Sequence, residues 1–155
     1  MEASGIFWGC QIPARFPFFE KSIRLLWKIF GLSLGETDGF TCCPEKALVK
    51  NLDPWVWVLT AGRNLALAEQ VEMDTLIVPC NGCYSTLKSV GSNLKTDPAL
   101  LQQVNASLKD VDLEFHGSLR VLHLAEYFHD ELGLPKLREG AKRSLKGMRV
   151  GVHYG

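Results

Sequence analysis

The middle of the chain reads Thr75-Leu76-Ile77-Val78-Pro79-Cys80-Asn81-Gly82-Cys83. Its opening residues are apolar or β-branched and end at a proline, which predicts a short buried strand over Thr75–Pro79. Apolar residues then recur at Leu87, Val90 and Leu94, a spacing typical of one face of a helix. The Cys-x-x-Cys pair therefore lies where a strand gives way to a helix, at the carboxyl end of that strand.

Strands and helices alternate on both sides of this segment. Further strands are predicted at Ser4–Trp8, Leu119–Leu122 and Met148–Tyr154, and helices at Pro17–Gly31, Asp53–Glu72, Asp97–Leu108 and Ala125–Leu132. Asp53-Pro54 and Asp97-Pro98 mark helix starts, because aspartate caps the first turn and proline suits the first helical position. This alternation predicts an α/β domain with a mainly parallel sheet flanked by helices. Ligands of such sheets bind at the carboxyl edge of the strands.

Length and charge exclude several classes of protein. The 155 residues suit one domain, and 46% apolar with 22% charged residues is typical of a globular protein. Seventeen basic residues balance seventeen acidic ones, so neither nucleic-acid binding nor membrane-surface binding is expected. No apolar stretch approaches the roughly 18–20 residues of a membrane span, and no secretory signal precedes the first strand. We therefore expect a cytoplasmic protein.

The five cysteines are the candidate functional residues: Cys10, Cys42, Cys43, Cys80 and Cys83. Thiols stay reduced in the cytoplasm, so a group of cysteines there indicates metal binding or catalysis. The adjacent pair can bind one centre only from an irregular loop, since neighbouring side chains in a strand point to opposite faces. Five thiolates exceed the four that a zinc ion takes, whereas a multi-iron centre can use more. A zinc site with a spare thiol and a set of inert buried cysteines remain alternatives.

Histidines are the other candidates for chemistry. His116, His123, His129 and His153 titrate near neutral pH and could give a proton to a leaving thiolate. His123 and His153 lie at the ends of predicted strands, and His153 is the candidate catalytic residue. A structural role is the alternative for each. The chain has neither a Gly-x-Gly-x-x-Gly motif nor a phosphate loop, so no bound nucleotide is expected.

The cysteine pattern resembles the cysteine-rich CCG domain of the heterodisulfide reductase B-type subunit family. Thirty-one residues separate Cys10 from Cys42, and 36 separate Cys43 from Cys80. The text of 61–69 and 80–88 is also similar to that family. The closing residues 150–155 are similar to the segment that leads into the family's second domain. The resemblance covers almost the whole chain, which is about half of a two-domain subunit.

The resemblance implies a cofactor, a reaction and partners. In that family all five cysteines hold a noncubane [4Fe-4S] cluster, which makes Cys10, Cys42, Cys43, Cys80 and Cys83 the expected ligands. The family's members are oxidoreductases that reduce the mixed disulfide of coenzyme M and coenzyme B to two thiols. Their electrons come from a flavin-containing subunit through a ferredoxin-like iron–sulfur subunit. A single domain without its second half is not expected to turn over.

The domain boundary is expected near the end of the chain. Gly151–Gly155 repeats the glycine, apolar or aromatic, glycine form of Gly5–Gly9, the segment that precedes Cys10. We therefore expect a CCG domain over residues 1–147 and the first strand of a second one over 148–155. Two other functions remain open. One is an electron-transfer module of a related thiol:fumarate reductase or of a lactate or glycolate oxidation complex, and the other is a zinc-stabilised structural domain.

Overall fold

A computed structural model describes residues 4–144 and 146–151 of the chain. Its α-helices are α1 (Gln11–Arg15), α2 (Pro17–Ile29), α3 (Val49–Leu52), α4 (Pro54–Gln70), α5 (Asn81–Thr96), α6 (Pro98–Leu108), α7 (Leu124–Glu126) and α8 (Leu134–Gly140). A 3₁₀ turn at Lys109–Val111 extends α6, and a π-helical segment at Tyr127–Gly133 joins α7 to α8. In this part of the chain no helix is long and apolar enough to cross a membrane.

Three parallel strands form the sheet of the described residues. They are β1 (Ser4–Ile6), β2 (Thr75–Val78) and β3 (Arg120–His123), hydrogen-bonded in the order β1-β2-β3. Val78 lies opposite His123 in the β2–β3 pair. Because the strands are parallel, their carboxyl ends share one edge of the sheet. The predicted fold class, an α/β domain with a parallel sheet flanked by helices, is confirmed.

The sheet has a hydrophobic core on each face. Leu76 and Val78 of β2 pack into the larger core, with buried residues of α4, α5 and α6. Ile77, between them, belongs to the second core with Ile23 and Trp27 of α2. This alternation follows from the two-residue period of a strand and places helices on both faces. All four residues of β2 are buried, as expected for the central strand.

Both helix starts predicted from Asp-Pro pairs are present. The Asp53 carboxylate accepts hydrogen bonds from the backbone N–H groups of Trp55 and Val56 at 3.0 Å, and α4 begins at Pro54. The Asp97 carboxylate likewise accepts from the Leu100 N–H at 3.0 Å. Each carboxylate satisfies first-turn donors that have no partner within the helix.

Two predicted elements differ from the structure. The segment predicted as a helix over Ala125–Leu132 is one α-helical turn followed by the π-helical segment. The spacing of apolar residues does not distinguish the i→i+5 hydrogen bonds of a π-helix from those of an α-helix. Within the strand predicted at 148–154, residues 148–151 are exposed and unpaired with the sheet. An isolated strand has no partner for its backbone groups, so these residues stay irregular. The rest of that segment, with His153, lies outside the described residues.

Candidate metal centre

The five cysteines occupy three loops at the carboxyl edge of the sheet. Cys10 follows β1 and occupies the N-cap position of α1, and Cys80 follows β2 and occupies the N-cap position of α5. Cys83 lies in the first turn of α5 and is buried. Cys42 and Cys43 lie in an irregular loop between α2 and α3, with Cys42 exposed and Cys43 buried. Cys10 and Cys80 thus follow neighbouring strands at one edge of the sheet, and the Cys42-Cys43 loop lies beside Cys10.

Buried polar side chains hold the Cys42-Cys43 loop in place. Asn64 of α4 is fully buried; its Oδ1 accepts from the Thr41 N–H at 2.9 Å and its Nδ2 donates to the Cys42 carbonyl at 3.2 Å. Thr86 of α5, also fully buried, donates through Oγ1 to the Pro44 carbonyl at 3.2 Å. These side chains therefore hold the loop on both sides of the cysteine pair. They replace the backbone hydrogen bonds that a helix or a strand would have.

Sequence reasoning did not assign this role to Asn64 or Thr86. The signal that could have found them is a polar residue beside apolar neighbours on a predicted helix, namely Asn64 next to Leu65 and Thr86 next to Leu87. A buried polar group needs a hydrogen-bond partner, and an irregular loop has free backbone groups to offer. What the sequence does not show is which loop lies there.

The five thiols lie close enough together for each to affect the pKa of a neighbouring thiol. Cys42 interacts with Cys10 on one side and with Cys43 on the other, Cys43 interacts with Cys83, and Cys83 interacts with Cys80. We call this arrangement the thiol row. Among the residues that the structure describes, no group of three or more His, Cys, Asp or Glu side chains is arranged to hold a single metal ion.

Cys80 is the most acidic thiol of the thiol row. The hydrogen bond with Cys83, aided by the backbone N–H groups of Cys83 and Gly82, lowers the pKa of Cys80 from 9.0 to about 5 despite partial burial, and the charge of His123 adds a smaller effect. The first N–H groups of a helix have no intrahelical acceptors and favour a negative charge. The start of α5 thus prepares a thiolate ligand at Cys80.

The other thiols of the row alternate between donors and acceptors. Hydrogen bonds to Cys43 and Cys80, together with burial, raise the pKa of Cys83 well above its usual range. The hydrogen bond from Cys83 lowers the pKa of Cys43, whereas burial and the neighbouring thiols raise the pKa of Cys42. Removing the protons of Cys83 and Cys42 would leave several like charges close together. A bound cation would compensate those charges.

Gly9 makes room for the thiol row. It has a φ of +65°, and a Cβ built on it would lie 2.7 Å from the Cys83 Sγ. A side chain at this position would be strained by the backbone and would also occupy the space beside the sulfur. The glycine before Cys10 therefore allows β1 to turn back towards the start of α5.

A cavity of about 450 Å³ opens beside the exposed end of the thiol row. Cys10 and Cys42 line it together with Trp8, Phe40 and Arg24. The Arg24 guanidinium is bound to Glu36 at 2.7 Å and to Glu20 at 2.8 Å, which fixes its position at the wall. The two exposed thiols are thus accessible from a space that suits a small molecule.

His123 lies at the same edge as the cysteines, at the end of β3. Its backbone N–H donates to the Glu126 carboxylate at 2.8 Å, and that carboxylate also accepts from the Tyr84 hydroxyl at 2.8 Å. The rings of His123 and Tyr84 meet edge to face at 5.4 Å. The other described histidines, His116 and His129, are exposed. Among the described histidines, His123 is thus the one placed beside the thiol row.

Comparison with known proteins identifies the family. A model described as the CCG cysteine-rich domain matches residues 4–88, a range that holds all five cysteines. The chain belongs to this family, and the predicted resemblance is confirmed.

Among curated proteins, the chain is 35% identical over 155 residues to the B-type subunit of Ferredoxin:CoB-CoM heterodisulfide reductase from Methanosarcina mazei, covering 100% of this chain and 51% of that protein. It is 28% identical over 147 residues to the 8-methylmenaquinol:fumarate reductase membrane anchor subunit of Wolinella succinogenes, covering 95% and 50%. The chain thus spans about half the length of the curated relatives it matches.

A solved structure shows the same fold. A hypothetical protein from Helicobacter pylori superposes with a TM-score of 0.71 at 19% identity, over 81% of this chain and 25% of that protein. At this identity the likeness concerns the architecture of the sheet and helices alone.

Proposed function

We propose that this chain is the iron–sulfur N-terminal half of a heterodisulfide reductase B-type subunit. The thiol row carries the proposal, because it joins all five cysteines of the family pattern at one edge of the sheet. The 35% identity to a heterodisulfide reductase B-type subunit over the whole chain supports the same assignment. The proposed ligands are Cys10, Cys42, Cys43, Cys80 and Cys83, and the proposed cofactor is one noncubane [4Fe-4S] cluster.

The residues present fit such a cluster. A row of five thiols can serve several iron atoms, whereas one tetrahedral zinc ion takes four ligands. The backbone N–H groups of Gly82 and Cys83 already stabilise a thiolate at Cys80, and N–H donors beside sulfur ligands are a common way to tune a cluster. Gly9 leaves open the space that a side chain would take beside Cys83. The donor set, the charge compensation and the available space agree.

The proposed reaction is the reduction of the mixed disulfide of coenzyme M and coenzyme B to two thiols. When bound, the cluster supplies electrons and an iron with affinity for sulfur. The chain itself contributes the cavity beside Cys10 and Cys42, walled by Trp8 and Phe40. These aromatic side chains form an apolar part of the cavity wall beside the two exposed thiols. The ion pairs of Arg24 keep that wall in place.

Since the chain spans about half of its relatives' length, the remaining parts of the proposal concern the whole assembly. We place a CCG domain over 1–147 and the start of a second one over 148–155, with His153 in this second segment as a proton donor. The proposed partners are a ferredoxin-like iron–sulfur subunit and a flavin-containing subunit, in the cytoplasm. This half alone is proposed to bind its cluster without catalysing turnover.

A second function is favoured by the similarity to the fumarate reductase subunit. In that case the domain would transfer electrons and its cluster would not bind thiol or disulfide.

The two functions differ in the response of the iron-loaded chain to ligands. We expect the coenzyme M–coenzyme B disulfide, or coenzyme M thiol after reduction, to change the visible and EPR spectra of the cluster. A saturable change supports the reductase. An unchanged spectrum over the same range, from protein that still accepts electrons, supports the electron-transfer module. Zinc without sulfide in the purified chain would contradict both.

A further inference from the structure

The His123 ring has one nitrogen that is buried without a hydrogen-bond partner. The Ala125 N–H donates to His123 Nδ1 at 3.2 Å, so Nδ1 is an acceptor and the ring proton lies on Nε2. Nε2 is buried, and among the described residues nothing accepts a hydrogen bond from it. A buried donor without an acceptor is costly, which makes it a sign of a partner outside the protein's own atoms.

The surrounding contacts hold the ring in this orientation. Glu126 accepts from the His123 N–H and from the Tyr84 hydroxyl, so it ties the end of β3 to the first turns of α5. The Tyr84 ring packs against the imidazole edge to face. Tyr84 directly follows Cys83 in the sequence. The position of the donor is thereby coupled to the helix turn that carries Cys80 and Cys83.

His123 and Cys80 lie at the same edge of the sheet, His123 as the last residue of β3 and Cys80 just after β2. Val78 is opposite His123 in the β2–β3 pair, and Cys80 follows Val78 by two residues. The two side chains therefore project from adjacent segments at the carboxyl ends of β2 and β3. An acceptor held by Cys80 would therefore be in the neighbourhood of Nε2.

We propose that His123 is a positioning residue of the metal centre, whose Nε2–H donates a hydrogen bond to sulfur of the cluster or of its Cys80 ligand. The proposal rests on the proposed function, because it requires the thiol row to hold an iron–sulfur cluster. It assigns to His123 a role in setting the properties of the cluster rather than in giving up a proton. Hydrogen bonds to the sulfur of a cluster favour its more electron-rich reduced state. Loss of this donor should therefore lower the reduction potential.

Two substitutions separate the Nε2 donor from the Nδ1 acceptor. In His123→Asn the side-chain oxygen can still accept the Ala125 N–H, and no donor reaches the position of Nε2. In His123→Gln the amide nitrogen can reach the position of Nε2. His116→Asn is the matched control, since His116 is exposed and precedes β3, away from the carboxyl edge.

The readout is the midpoint potential of the iron-loaded chains in an anaerobic redox titration. We expect H123N to shift to a more negative potential, H123Q to stay close to the wild-type value, and H116N to be unchanged. An unchanged potential in H123N, or equal shifts in H123N and H123Q, overturns the role of His123 while the cluster assignment stands. A wild-type chain that takes up no iron and sulfide overturns the proposed function and this inference together.

A second readout uses the metal-free protein. Ring ¹⁵N chemical shifts of His123 should show the tautomer protonated at Nε2. A ring protonated at Nδ1 would overturn the inference without reference to the cluster.

Discussion

At the scale of single residues, the low pKa of Cys80 follows from its position in the fold. This residue follows the central strand by two residues and occupies the N-cap position of α5, next to the free N–H groups at the start of a helix. The hydrogen bond with Cys83 adds to this effect, and the pKa of Cys80 falls to about 5. A thiolate is the form of cysteine that binds metal. A cysteine between a strand and a helix in the sequence is therefore expected to have a lowered pKa.

The acidity of Cys80 predicts selective alkylation of the metal-free protein. A pH of about 6 is above the pKa of Cys80 in the folded protein, so this thiol is mostly ionised. An ordinary thiol is almost wholly protonated at the same pH. We expect iodoacetamide at this pH to modify Cys80 first, as read by peptide mass spectrometry. Lowering the pH through about 5 should suppress the reaction as the thiolate takes up its proton. First modification of the exposed Cys10 or Cys42 would contradict the assignment.

Gly9 permits a second test at the same scale. Gly9→Ala places a Cβ 2.7 Å from the Cys83 Sγ on a backbone with positive φ, whereas Gly31→Ala, also at positive φ, has nothing within 4 Å. The backbone conformation alone should cost both variants about 1–2 kcal/mol of unfolding free energy, measured in urea. G9A should lose additional stability and most of its iron uptake, while G31A keeps its iron. Equal iron contents would show that Gly9 is not needed beside the thiol row.

At the scale of elements, the irregular loop with Cys42 and Cys43 depends on the two helices that pack beside it. Asn64 of α4 and Thr86 of α5 supply hydrogen bonds to loop backbone groups on either side of the cysteine pair. A loop that must hold two adjacent thiols at one site cannot adopt strand geometry, in which they would point to opposite faces. The buried polar groups replace the missing ladder of backbone hydrogen bonds.

The comparison of Asn64 with Asn105 tests this role. Asn105 holds another loop in the same manner, with two hydrogen bonds of 3.0 Å to the backbone of Phe115, away from the cysteines. Replacing either asparagine by alanine should cost about 1–3 kcal/mol of unfolding free energy, because buried backbone groups lose partners. We expect N64A to lower iron uptake at temperatures where it stays folded, and N105A to leave uptake unchanged. Equal uptake would contradict a special role of Asn64.

The elements also show what sequence reasoning can reach. Asp53 and Asp97 were predictable as helix caps because the carboxylate and the following proline act on their immediate neighbours. The central strand was predictable because its four residues are apolar or β-branched and are followed by a proline. The π-helical segment at Tyr127–Gly133 and the contacts of Asn64 were not, since they depend on packing between segments far apart in the chain. The cysteine site lies between these cases. Its residues could be predicted from the sequence, but the contacts between the thiols could not.

At the scale of the whole molecule, the second core lies on the face of the sheet opposite the two buried cysteines. Trp27 of α2 is buried under the sheet and stacks on Tyr127 at 5.3 Å with the rings 18° apart. The larger core, on the opposite face, includes Cys43 and Cys83. The second core can therefore support the fold without contributing ligands to the metal centre.

Removing the Trp27 side chain should destabilise the second core and with it the fold. Trp27→Ala should lower the unfolding free energy by about 3–5 kcal/mol, as large buried aromatic residues do on truncation. Trp27→Phe should cost less, because it fills much of the space and removes an indole N–H to which no described residue offers an acceptor. Trp55→Ala provides a partly exposed control and should cost less than W27A. A W27A loss below about 1 kcal/mol in urea unfolding would contradict the importance of the second core.

Iron and acid-labile sulfide per chain, measured on anaerobically purified protein and on its Cys43→Ser and Cys83→Ser variants, test the metal centre itself. We expect about four iron atoms and matching sulfide in the wild-type chain, as a [4Fe-4S] cluster requires, and a marked loss in both variants. Zinc without sulfide, or iron and sulfide that persist at wild-type levels in both variants, would contradict an iron–sulfur cluster held by the thiol row.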